Sequence, residues 1–153
     1  MTKETKELRV SAIKNGTAID HIPADGLFNV INILGLDKID NTITFGTNLD
    51  SKTQGKKAII KISERYFENS EINKISLVAP NAKLNIIKDY EVVEKKVIEI
   101  PDTFEGIVKC MNPKCVTNVE EVTTRFTVVD KVDLKLKCHY CEKITAKGHI
   151  DVL

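Results

Sequence analysis

All four cysteines of the chain fall near its end, in two tight pairs. KCMNPKC carries Cys110 and Cys115 with four residues between them, and KCHYCEK carries Cys138 and Cys141 with two. No cysteine occurs in the first 109 positions. Two close pairs, each on a turn beside a strand, deliver four soft thiolates to a tetrahedral Zn²⁺. Four thiolates leave no position for water, so the expected ion is single and structural. It also supplies the staple that a tail of about fifty residues needs, because so short a stretch buries too little apolar surface to hold itself together. Three other readings stay open. Two disulfides would suit an oxidising compartment. CHYC would suit redox chemistry if it opened a helix. His139 would become a ligand if it displaced a neighbouring thiolate.

Ahead of the cysteines the chain alternates strand-like and helix-like pieces. LRVSAI (8–13) puts Leu8, Val10 and Ala12 on one face, and NGT (15–17) signals a turn. After Pro23, Leu27, Val30, Ile31 and Leu34 recur at helical spacing and Gly35 sits where a helix ends. NTITFGTNL, with Ile43 and Phe45 inward, and AIIKIS read as a hairpin. Ser70 is placed to cap a second helix striped by Ile72, Ile75 and Val78 or Ala79, with Pro80 as its stop. KLNIIKDYEVV is the last strand. The expected class is α+β: a ferredoxin-like βαββαβ sandwich, with two helices on one face of a four-stranded antiparallel sheet. Beyond KKVIEIPD only short alternating runs remain (FEGIVK, TRFTVV, DLKLK, KGHIDVL), which predict a small all-β zinc-binding domain. Pro101–Asp102 is the boundary, giving domains 1–101 and 102–153.

Lys and Arg total 23 against 22 for Asp and Glu, a formal net charge of +1. No global field therefore gathers nucleic acid or an anionic membrane, and any anion is held locally. MTKETKELRV has no apolar signal core and no stretch approaches the ~20 apolar residues of a membrane span, so the expected location is cytoplasmic. The tail mixes acidic residues, Glu105, Glu120, Glu121, Asp130, Asp133, Glu142 and Asp151 among them, with its lysines, and its aromatics are Phe104, Phe126 and Tyr140. That is a poor platform for stacked bases. A zinc-ribbon nucleic-acid-binding protein is thus the second reading, behind a tail that meets another protein. With no nucleophile–base signature, no phosphate-cradling glycine loop and no open metal position, catalysis by this chain is not expected.

GTAIDHIPA (16–24), IKI (60–62), YEVVEK (90–95) and the C-x4-C…C-x2-C tail with KCHYCEK resemble the regulatory chains of aspartate carbamoyltransferase along essentially the whole length. The resemblance implies an allosteric, nucleotide effector-binding domain at 1–101 and a zinc domain at 102–153 that docks on the catalytic chain. It also implies self-association as a regulatory dimer and no catalysis by this chain. ATP, CTP and UTP would share one site and tune pyrimidine biosynthesis through the catalytic partner. The positions matching that effector pocket are Val10, Ser11, Ala12, Ile13, Asp20 and His21, then Ile59 and Lys61, then Asn85, Ile87, Tyr90, Val92 and Lys95. Lys61 and Lys95 suit a triphosphate, Asp20 suits a ribose or base donor, and Ile87 and Val92 suit a ring's flanks. Asn112, Lys114 and Glu142, beside the cysteine turns, match positions that dock the catalytic chain. Ser11 and Lys114 depart from the family's usual residues, a larger polar side chain and a second asparagine.

Overall fold

Residues 12–52 and 55–153 are described by the computed structural model, and the chain divides into two units between Glu99 and Ile100. The first unit runs β1 (Gly16–Pro23), α1 (Leu27–Ile33), β2 (Ile43–Ser51), β3 (Gly55–Ser63), α2 (Asn69–Val78), β4 (Lys83–Lys88) and β5 (Glu91–Val97). Its sheet is antiparallel in the order β2-β3-β1-β4-β5. This is the ferredoxin-like βαββαβ arrangement with one strand added beyond β4.

The central strand, β1, is the segment that sequence patterning reads as a turn and loop. Residues 16–19 are all buried. Ile19 lies in the main core beneath the helices, and Ala18 packs with Ile13 and Ile87 on the other face. A strand covered on both sides shows no period-two alternation to read. Of the strand expected at 8–13, residues 8–11, including Val10 and Ser11, lie outside the described residues, while Ala12 and Ile13 belong to no strand. Gly16 begins β1 at φ 143, where an added Cβ would sit 2.1 Å from the Ile62 carbonyl oxygen. Further along, Ile19 pairs with Ile60 and Ile22 with Ala58, so Asp20 and His21 together stand opposite Ile59. This bulge, with His21 at φ 58, keeps both isoleucines in the core and turns Asp20 to the opposite face.

Helix α1 buries Leu27 and Val30, and Leu34 and Leu36 follow them into the core with Ile60, Ile62, Ile75 and Leu84. Gly35, at φ 64, ends the helix as expected. The cap of α2 is Glu68 rather than Ser70. Its side chain accepts from the Glu71 backbone while the Glu71 carboxylate reaches back to the Glu68 N–H, a reciprocal box formed by carboxylates. KLNIIKDYEVV is two strands, not one. Asp89 and Tyr90, at φ 51 and 66, make a tight turn of the left-handed kind that suits hairpins. Phe45 is also corrected: it is 49% exposed and meets Phe28 edge-on at 6.4 Å. Its strand lies at the sheet's edge, where burial is incomplete.

The second unit comprises β6 (Thr103–Glu105), β7 (Val108–Lys109), a single turn α3 (Val116–Val119), β8 (Arg125–Asp130), β9 (Lys135–Cys138), β10 (Ile144–Ala146) and β11 (Asp151–Val152). Four strands form one sheet in the order β10-β9-β8-β6, and β11 pairs with β7. Phe104 lies opposite Phe126, which in turn lies opposite Cys138. The small apolar core thus runs directly into the cysteines. No helix among the described residues is long and apolar enough to cross a membrane.

Candidate functional site

Cys110 follows β7, Cys115 precedes α3, Cys138 ends β9 and Cys141 lies in the turn after it. Their sulfurs all fall within 4.8 Å of one another. Cys110 Sγ is 3.6 Å from Cys141 Sγ, and Cys115 Sγ is 3.7 Å from Cys138 Sγ. These spacings match the edge of about 3.8 Å expected of a tetrahedron with Zn–S bonds near 2.3 Å, and they are far from a covalent S–S bond of about 2.05 Å. Turn hydrogen bonds hold the frame. The Cys115 N–H donates to the Asn112 carbonyl at 3.0 Å, and the Glu142 N–H donates to the Cys138 carbonyl at 3.0 Å.

Burial pushes the Cys110 thiol up to about 12 and raises Cys138 as well. At Cys115 burial opposes ionisation too, but the Thr117 hydroxyl, donating to Sγ at 3.2 Å, and the Thr117 backbone bring the thiol down to about 7. Four neighbouring thiolates therefore require a cation among them. The donor set fits one closed, structural zinc ion. His139 is exposed and packs edge-on against Tyr140 at 5.0 Å, outside the sulfur cluster. Since Cys138 ends a strand and opens no helix, the redox reading lacks its structural context.

In the first unit, the sheet face opposite the helices holds a pocket of about 480 Å³ lined by Ala12, Ile13, Ala18, Asp20, Ile59, Lys61, Asn85, Ile87, Tyr90 and Val92. Nine of these ten are sequence-predicted positions. Strand register explains why distant residues meet: Ala18 lies opposite Lys61 on one side and Asn85 on the other, and Asn85 lies opposite Lys95. Directly opposed residues share a face. Lys61, Ala18, Asn85 and Lys95 therefore form one row across four strands, which puts Lys95 beside the pocket although it is not in the lining. His21 is likewise next to the pocket, at the bulge, and burial is the main cause of its lowered pKa.

Three neighbours went unread in the sequence. Ala18 forms the floor, a role hidden until 16–23 is known to be a strand. Lys57 pairs with Asp20 at 2.9 Å, with both side chains about four-fifths buried (21% and 20% exposed). Thr117 supports a thiol. Only the β1–β3 register would have revealed Lys57. The docking positions flank the cysteine turns: Asn112 accepts at Oδ1 from the Lys114 N–H at 3.1 Å, and Lys114 and Glu142 are exposed, the latter at φ 64.

Comparison with known proteins covers both units. The family described as "Aspartate carbamoyltransferase regulatory chain, allosteric domain" matches residues 8–99, and that described as "Aspartate carbamoyltransferase regulatory chain, metal binding domain" matches residues 102–151. The aspartate carbamoyltransferase regulatory chain of Phocaeicola vulgatus is 56% identical over 153 residues, spanning 100% of this chain and 99% of that one. That of Bacteroides fragilis is 54% identical, spanning both chains fully (100% and 100%). That of Pyrococcus horikoshii is 52% identical over 146 residues, or 94% of this chain and 96% of that one. These matches give no support to a zinc-ribbon nucleic-acid-binding protein. With an allosteric and a metal-binding domain matched in order along nearly its whole length, the chain belongs to the family of aspartate carbamoyltransferase regulatory chains, non-catalytic subunits of that enzyme.

Proposed function

We propose that this chain senses nucleoside triphosphates, ATP, CTP and UTP, on the helix-free face of its first unit, and passes the signal to aspartate carbamoyltransferase catalytic chains. The observation that carries the reading is the pocket. Groups from β1, β3, β4 and β5 converge there, with apolar walls at Ile13, Ile59 and Ile87 for a ring. Lys61, in the lining, and Lys95, beside it, suit phosphates. Ser11 and Val10 complete the proposed effector set from outside the described residues.

Cys110, Cys115, Cys138 and Cys141 are the proposed ligands of the single zinc ion, which supplies a four-way cross-link and no open coordination site. Asn112, Lys114 and Glu142, presented on the turns this cross-link would fix, are proposed to contact the catalytic chain. A regulatory dimer and a cytoplasmic location complete the proposal. Regulation then requires different nucleotide affinity in two states of the assembly, with coupling of about 1–3 kcal/mol typical.

Calorimetric titration of the chain with ATP, CTP and UTP tests the sensor. Binding should weaken about tenfold in Lys95→Gln, as expected when a charge-assisted phosphate contact is lost. Undiminished affinity in that variant, or carbamoyl transfer by the isolated chain, would refute the reading.

A further inference from the structure

The pocket's cation set does not end with the lysines that line it or adjoin it through Asn85. Lys83, the first residue of β4, lies directly opposite Asp20 in the β1–β4 register. It is also two residues from Asn85 on the same strand, so all three side chains leave the same face of the sheet. Lys83 is exposed. Asp20 already engages Lys57 at 2.9 Å, so its negative charge is partly compensated before any ligand arrives. The charge of Lys83 acts across this corner: the His21 pKa is lowered first by burial and, against the pull of Asp20, by Lys57 and Lys83. Positive charge therefore surrounds one end of the pocket on three strands.

Resting on the nucleotide reading above, we infer that Lys83 is a specificity-determining residue of this pocket, which favours the polyphosphate end of a nucleotide and so selects triphosphates over monophosphates. A flexible ammonium at a rim engages the most distant, most highly charged phosphate groups and leaves base and ribose untouched. Its contribution belongs in the ratio of affinities for ATP and AMP, not in nucleotide binding as such.

Lys88 provides a matched control. It lies on the same strand but five residues on, and its ammonium sits over the Tyr66 ring at 6.0 Å, beside Ile86 and Glu94 on the opposite face. Titrating the full chain with ATP, ADP and AMP tests the inference. Lys83→Gln should weaken ATP about five- to tenfold and AMP less than about twofold, with ADP between them. Lys83→Arg should restore the series, and Lys88→Gln should leave it unchanged. If Lys83→Gln keeps the wild-type ATP-to-AMP ratio while the wild type binds ATP, the role of Lys83 is overturned and the pocket stands. If the wild-type chain binds none of the three nucleotides, the pocket reading falls and takes this inference with it.

Discussion

Single residues fix the sheet that carries the pocket. At Gly16 the backbone has φ 143 and the Ile62 carbonyl oxygen lies 2.1 Å from any added Cβ. Gly16→Ala must therefore move the central pairing of β1 with β3, and should cost about 2–4 kcal/mol in urea unfolding. From sequence alone this glycine reads only as part of a turn; its close contact comes from a strand more than forty positions away. His21 tells a similar story in charge. Burial, joined by Lys57 and Lys83 and opposed by Asp20, holds its pKa below the usual 6.5. The unfolded chain thus takes up a proton first, so stability is full above pH ~6.5 and falls as the pH drops through that value toward the folded pKa. Urea midpoints measured from pH 7 to pH 5 should decline less in His21→Gln than in the wild type. The four cysteines, by contrast, were legible at once, because their ligand chemistry depends on spacing and not on partners across a sheet.

Elements were legible where one face alone is buried. α1 showed its stripe and its terminal Gly35 plainly, and α2 showed Ile72, Ile75 and Val78 or Ala79. Its start was misread because a serine is the commoner cap, whereas Glu68 and Glu71 form the reciprocal box. Glu71 also meets Arg65 at 3.1 Å, so Glu71→Ala should destabilise the first unit by about 1–2 kcal/mol, measurable by thermal or urea unfolding. β1 escaped notice for the opposite reason: both its faces are covered. The β4–β5 turn escaped because Asp-Tyr is a poor advertisement for two left-handed residues in succession. Tyr90 nevertheless adopts φ 66 at the pocket, a conformation that costs a residue with a side chain about 1 kcal/mol. Tyr90→Gly should raise the free energy of unfolding by up to about 1 kcal/mol while weakening nucleotide binding, as expected where local strain serves a site.

At the scale of the molecule, the division between Glu99 and Ile100 and the placement of all four thiols in the second unit predict two separable unfolding events. Treating the protein with a chelator and a mercurial should abolish the protection of amides in 100–153 while those in 12–99 remain protected, as read by hydrogen exchange. Apparent metal-binding energies of about 10–16 kcal/mol in comparable small domains set the scale of the loss. Cys138→Ser, at a fully buried member of the cysteine cluster (0% exposed), should reproduce it without reagents. The pocket answers to a different arithmetic. In β5, Lys95 lies opposite Asn85 and Val92 opposite Ile87, with Val93 as the odd residue between. Only this surplus residue lets two positions three apart look the same way. Ironing out this bulge with Val93 retained would turn either the valine or the lysine to the other face, although no residue lining the pocket had been altered. A straight strand of this length is the arrangement the face cannot use, so natural variants should carry either the bulge with its extra residue or a strand one residue shorter without it.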